Sequence, residues 1–163
     1  MPVQYNALFL CTRNSARSII AEAILSHRSQ GRFHAYSAGS HPSGLSRPEV
    51  IRQIESAGMS TEGLCSKSWN GFAAPAAPKL DFVFTVCDNA ANEACPYWPG
   101  HPTTMHWGVP DPAAVKETPE EIARAFRDAF IVLDRRMGLF ISLPLSTVDH
   151  LAIKRAVEDI GRS

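Results

Sequence analysis

Apolar residues recur along this chain in two rhythms: short continuous runs, and longer stretches in which they return every three or four positions. The first run, Ala7-Leu8-Phe9-Leu10, predicts a buried strand over 5–10, and Ile19, Ile20, Ala23 and Ile24 at helical spacing predict a helix over 17–29. A second strand is expected at Phe33–Ser37, closing at Ala38-Gly39. A helix from Pro48 to Ala57 follows, with Val50, Ile51 and Ile54 inward and Gly58 as its stop signal. Asp81-Phe82-Val83-Phe84-Thr85-Val86-Cys87 is a nearly continuous apolar run, the pattern of a strand covered on both faces of a parallel sheet. A Pro-, Gly- and Asn-rich stretch from Asp88 to Pro102 leads to a short strand at Thr103–Trp107, and Gly108-Val109-Pro110-Asp111-Pro112 reads as loop. Ile122, Phe126, Phe130, Leu133 and Met137 share one stripe and predict a helix over 119–137. Ser146, with Asp149 three residues on, reads as the cap of a last helix through Ile160. Strands alternating with helices imply an α/β fold with a parallel sheet, whose ligands bind at the carboxyl ends of the strands.

The pattern shows no repeat, low-complexity segment or interdomain linker, so the 163 residues are expected to form one domain, 1–163. Sixteen Lys and Arg balance sixteen Asp and Glu, which gives no electrostatic case for nucleic acid or an anionic membrane as partner. No run reaches the roughly eighteen apolar residues that a membrane span needs. Met1 to Asn6 also lacks the basic-then-apolar order of a leader, so a soluble, cytoplasmic protein is expected. Four cysteines are too few for a disulfide scaffold at this length and are expected to act chemically.

Chemistry concentrates between the first strand and the first helix, in Cys11-Thr12-Arg13-Asn14-Ser15-Ala16-Arg17-Ser18. A strand-to-helix turn leaves the first helical N–H groups unpaired and aims them, with the positive end of the helix dipole, into one concavity that suits a tetrahedral oxyanion. Arg17 can close over that anion with two parallel hydrogen bonds, which a lysine cannot make. Cys11, facing the same amides, is expected to ionise near neutrality and serve as a nucleophile. Arg13 either strengthens the attraction for the anion or points to solvent. Cys87 ends the third strand as Cys11 ends the first, so two thiols can meet at one sheet edge. Cys87, Cys95, His101 and His106 are spaced too widely for a zinc knuckle, and no metal or cofactor is expected. Cys65 reads as a bystander thiol.

These residues resemble the low-molecular-weight tyrosine phosphatase family, and more closely its arsenate reductase branch. The landmarks are C-x5-R-S after the first strand, Tyr36-Ser37-Ala38-Gly39 after the second, Cys87 after the third, and His106-Trp107-Gly108-Val109-Pro110-Asp111-Pro112-Ala113. The resemblance implies a four-stranded parallel sheet flanked by helices, with the oxyanion loop at its carboxyl edge. It makes Asp111 the general acid, Asn14 and Ser18 the supports of the loop, and Ser37 a brace for Asn14. Some relatives hold a potassium ion at positions matching Asn14, Glu22 and Ser37. The acidic fourth contributor is replaced here near Lys67-Ser68, so that ion is not expected.

A phosphatase of this kind needs one cysteine, because water hydrolyses the thiophosphate. Reduction needs more, and Cys95 stands eight residues beyond Cys87. The resemblance therefore implies arsenate reduction, with phosphate as competing anion and Cys11, Cys87 and Cys95 as a relay. Thioredoxin is the reductant it favours, with glutaredoxin or a low-molecular-weight thiol in reserve. The alternative is a phosphoester hydrolase. Phosphatases of the family usually follow the Asp-Pro with tyrosine, where this chain has Ala113. Ala16 also excludes the second loop cysteine that some thioredoxin-coupled reductases carry.

Overall fold

The apolar run of the first strand is buried on both sides, and that places it inside the sheet rather than at an edge. The computed structural model describes residues 5–11, 16–29, 31–40, 48–61, 64, 66–70, 79–86, 103–108, 118–142 and 150–161. In it β1 (Tyr5–Leu10) pairs on one side with β2 (Phe33–Ala38) and on the other with β3 (Phe82–Thr85), which pairs in turn with β4 (Thr103–His106). All pairings are parallel, in the order β2-β1-β3-β4. Ala7, Phe9 and Cys11 join the larger core cluster, whereas the intervening Leu8 and Leu10 join a smaller one with Ala38, Trp69, Leu80 and Val83. Phe9 and Phe84, opposite each other in register, stack with ring centroids 5.0 Å apart. Trp107 lies 4.4 Å from Phe84, and Phe140 meets Phe84 edge-on at 5.3 Å.

Four helices are described: α1 (Arg17–Arg28), α2 (Pro48–Ser56), α3 (Pro119–Ile141) and α4 (His150–Gly161). The expected stripes face the larger cluster, with Ile19, Ile20, Val50, Ile54, Phe126, Phe130, Leu133 and Met137 all in it. Thr118 caps α3 by accepting from the Glu121 amide at 3.2 Å, and Pro119 starts the helix where its missing N–H costs nothing. The helix expected to end at Met137 runs on to Ile141. Phe140 is fully buried and holds this extra turn on the sheet. Gly138 stays helical where a Cβ would stand 3.0 Å from the Arg28 guanidinium. Arg28 itself donates to the Asp134 carbonyl at 2.8 Å, pinning α1 to α3. The strand expected over 81–87 spans only 82–85; before it, the Asp81 carboxylate accepts from the Asn6 amide at 2.8 Å. The expected cap residues Ser146 and Asp149 lie outside the described residues. No helix among the described residues is long and apolar enough to cross a membrane.

From β1 the chain steps to β2 on one side and later returns past β1 to β3 on the other. The connections diverge at the carboxyl ends of β1 and β3, which is where a crevice opens in sheets of this topology.

Candidate active site

At that point β1 hands over to Cys11, whose amide donates to the Ala38 carbonyl at 3.2 Å. Cys11 is buried, 5% exposed. Five residues on, Ala16 precedes α1 with φ −138° and ψ −88° and no side-chain cap. The Ile20 amide makes the first helical bond, to the Ala16 carbonyl at 2.9 Å. The first turn holds no acidic residue, whereas His27 and Arg28 occupy the last turn, where cations match the dipole. The start of the helix thus lies at the same sheet edge as the Cys11 thiol. Arg17 is half-buried there and Ser18 fully buried. Helix starts in general can bind an oxyanion. Thr12, Arg13, Asn14 and Ser15 lie outside the described residues.

Beside this turn, the Val86 amide donates to the Leu10 carbonyl at 2.9 Å. The residues that precede Cys87 and Cys11 are therefore hydrogen-bonded across the crevice. Cys87, Cys95 and Asp111 themselves lie outside the described residues. The root of the Asp111 segment is fixed from three directions. The Trp107 amide donates to the Thr85 carbonyl at 2.7 Å, Trp107 Nε1 to the Val157 carbonyl of α4 at 2.9 Å, and Arg136 Nη1 of α3 to the Gly108 carbonyl at 3.2 Å. Thr85 Oγ1 and His106 Nδ1 share a hydrogen bond of 2.8 Å where β3 and β4 end.

Ser37, expected to brace Asn14, is fully buried and donates its hydroxyl to Glu22 Oε1 at 2.7 Å. Lys67 Nζ stands 3.6 Å from the same oxygen. It is brought there because the Gly39 amide donates to the Lys67 carbonyl and the Trp69 amide to the Gly39 carbonyl, at 2.9 and 3.0 Å. Burial pushes the Glu22 carboxyl above its ordinary value, opposed in part by the Lys67 charge and the Ser37 hydroxyl. Burial, then the Glu22 charge, pushes the Tyr36 phenol up. The Lys67–Glu22 pair, the Thr85–His106 bond and Arg136 are contacts that the sequence reading missed. Arg136 had a visible signal, since it breaks the apolar spacing Leu133, Met137, Phe140 with a charge. The Thr85–His106 bond joins residues distant in sequence and had none, whereas Glu22 and Lys67 are set near one site by the resemblance alone.

A groove of about 520 Å³ between α2 and α3, lined by Glu49, Arg52, Pro119 and Phe126 among others, contains none of these groups.

The model of the low molecular weight phosphotyrosine protein phosphatase family matches residues 6–146. An arsenate reductase of Shouchella clausii is 34% identical over 113 residues, 69% of this chain and 78% of its own. A thioredoxin-dependent arsenate reductase of Corynebacterium glutamicum superposes with a TM-score of 0.55 at 24% identity, over 85% of this chain and 63% of that one. The tyrosine phosphatase Wzb of Escherichia coli, in complex with sulphate, superposes with a TM-score of 0.67 at 20% identity, over 86% and 98%. The backbone is thus shared by reductases and phosphatases and does not separate the two. With a match that takes in all four described strands but for Tyr5, the Cys11 turn and the whole of α3, the chain belongs to the low molecular weight phosphotyrosine protein phosphatase family.

Proposed function

We propose that this chain reduces arsenate to arsenite, with Cys11 as nucleophile in an oxyanion-binding turn and a thiol-disulfide relay as electron source. The observation that carries it is the Val86–Leu10 hydrogen bond, because it joins the residues before two thiols at the sheet's ligand-binding edge. The Shouchella clausii relative, named an arsenate reductase, supports it from outside. The unit is read as a single domain, 1–163, built on the four-stranded parallel sheet.

In the proposed reaction the turn amides and Arg17 hold arsenate, the Cys11 thiolate forms a sulfur–arsenic bond, and one oxygen leaves as water with a proton from Asp111. The Cys87 thiolate then attacks the Cys11 sulfur. The sulfur–arsenic bond breaks with its electron pair on arsenic, which departs as arsenite, and a Cys11–Cys87 disulfide remains. Cys95 attacks Cys87, releasing Cys11 as thiolate and leaving a Cys87–Cys95 disulfide for an external dithiol. Two thiols lose two electrons and arsenic gains two. A thioredoxin-type reductant fits, as in the Corynebacterium protein's name, with glutaredoxin or a small thiol as the other donor class. Phosphate competes at the turn. A cytoplasmic location suits a relay that must be re-reduced.

The second reading is phosphoester hydrolysis by the same turn, favoured by the family's own description. It needs Cys11, Arg17 and Asp111 but neither Cys87 nor Cys95. Purified protein with arsenate, thioredoxin, thioredoxin reductase and NADPH is expected to consume NADPH, and Cys87→Ala to stop it. No turnover in the wild type, with hydrolysis of an aryl phosphate that survives Cys87→Ala, would establish the phosphatase instead.

A further inference from the structure

Arg136 is a cation in the core. It is 7% exposed, sits between Leu133, Met137 and Phe140 on the buried side of α3, and its Nε has no hydrogen-bond acceptor among the described residues. Its neighbour Arg135 is a like charge, and both burial and that charge press against its ionised form. A methionine here would fill similar space without the desolvation that a buried, unpaired guanidinium incurs. What the guanidinium does hold is one acceptor, the Gly108 carbonyl, at 3.2 Å. Gly108 follows Trp107, whose indole is itself anchored on α4 through the Val157 carbonyl. Three residues beyond Gly108 comes Asp111.

We propose that Arg136 is a positioning residue for the proton donor: from α3 it fixes the Gly108 carbonyl and so sets where the Asp111 carboxyl stands relative to the anion at the Cys11 turn. The inference rests on the role given to Asp111 above. Proton transfer demands placement within hydrogen-bond reach of the leaving oxygen, and a displacement of about 1 Å costs on the order of a hundredfold in rate. Trp107 fixes the segment before Gly108 and Arg136 fixes Gly108 itself, so the chain leaves toward Asp111 from a held point. The step is unchanged in its balance: the arsenic–oxygen bond breaks towards oxygen, and Asp111 supplies the proton that makes it water.

The test compares Arg136→Met, Arg136→Lys, Asp111→Asn and the Arg136→Met/Asp111→Asn double variant, all as full chains. Arg136→Met is expected to lower kcat for arsenate reduction about tenfold or more while KM for arsenate stays within about twofold. The alkaline limb of its kcat–pH profile should flatten as it does in Asp111→Asn, and the double variant should be no slower than Asp111→Asn. Arg136→Lys, which keeps a donor, should recover part of the rate and guards against a variant that fails to fold. An unchanged kcat, a rise in KM alone, or additive losses in the double variant would overturn the proposal. Amide exchange over 109–113 reads the anchor without turnover: Arg136→Met should speed it at least about fivefold with β1 and α1 unaffected. A wild type inactive toward arsenate counts against the reductase, and exchange then decides the matter, with unchanged rates over 109–113 overturning the anchor.

Discussion

Ser37 and Glu22 are joined by a 2.7 Å hydrogen bond in which the buried serine hydroxyl donates to the carboxylate. Because burial raises the Glu22 carboxyl above its ordinary value of 4.5, the folded chain keeps this proton to higher pH than the unfolded chain does. Stability contributed here is therefore present below pH 4.5, falls as pH rises through the raised folded value, and is level above it. Glu22→Gln removes the titration. Its melting temperature should gain on the wild type as pH is raised from about 4 to 7, the span that brackets the ordinary carboxylate pKa. Lys67→Met, which deletes the opposing charge, should steepen the wild-type fall. A Glu22→Gln difference that is flat with pH, or that moves the other way, refutes the assignment.

Arg17 opens α1 beside the Cys11 turn. Lysine in its place keeps the charge but cannot make the two-pronged contact proposed for Arg17, and hydrogen bonds to charged groups are worth about 1.5–3 kcal/mol each. Inhibition by phosphate should weaken about ten- to a hundredfold in Arg17→Lys, with little change in melting temperature. Equal inhibition of both proteins would show that Arg17 does not touch the anion.

Trp107 is fully buried against Phe84 and Phe140 and donates to the Val157 carbonyl. Phenylalanine keeps most of the ring and strands that carbonyl, at a cost of about 1–3 kcal/mol. Denaturant unfolding of Trp107→Phe should show a loss of that size. A variant as stable as the wild type would mean that α4 does not need this tie.

Cys95→Ser should leave a single turnover of arsenate reduction and abolish multiple turnover. Burst kinetics with limiting reductant separate the two. Undiminished steady-state reduction would remove Cys95 from the relay and leave Cys11 and Cys87 to be re-reduced directly.

The sheet was largely legible because β1 and β3 are continuous apolar runs, and burial on both faces is the one environment that such runs fit. The start of α3 could be read from Thr118-Pro119, but its end could not. Gly138 reads as a stop signal, yet it lies inside the helix where Arg28 crosses so closely that a Cβ would stand 3.0 Å from its guanidinium, a contact between residues far apart in sequence. The Cys11 turn was visible as a local motif lying between a strand and a helix. Ser37 was placed near the turn only by resemblance, and its bond to Glu22 depends on β2 lying beside β1, which no local spacing encodes. Lys67 is further removed still, since it reaches Glu22 through a single bridge of Gly39 to Ser68.

The uncapped start of α1 has a thermodynamic consequence. If that start holds an oxyanion as proposed, the folded chain gains free energy from any such anion in solution that it binds and that the unfolded chain cannot hold. A filling anion at about 100 times its dissociation constant adds about 2.7 kcal/mol by mass action alone. The melting temperature is then a function of phosphate concentration rather than a constant, and a titration in sulfate, phosphate and arsenate ranks the anions before any enzymatic assay is run.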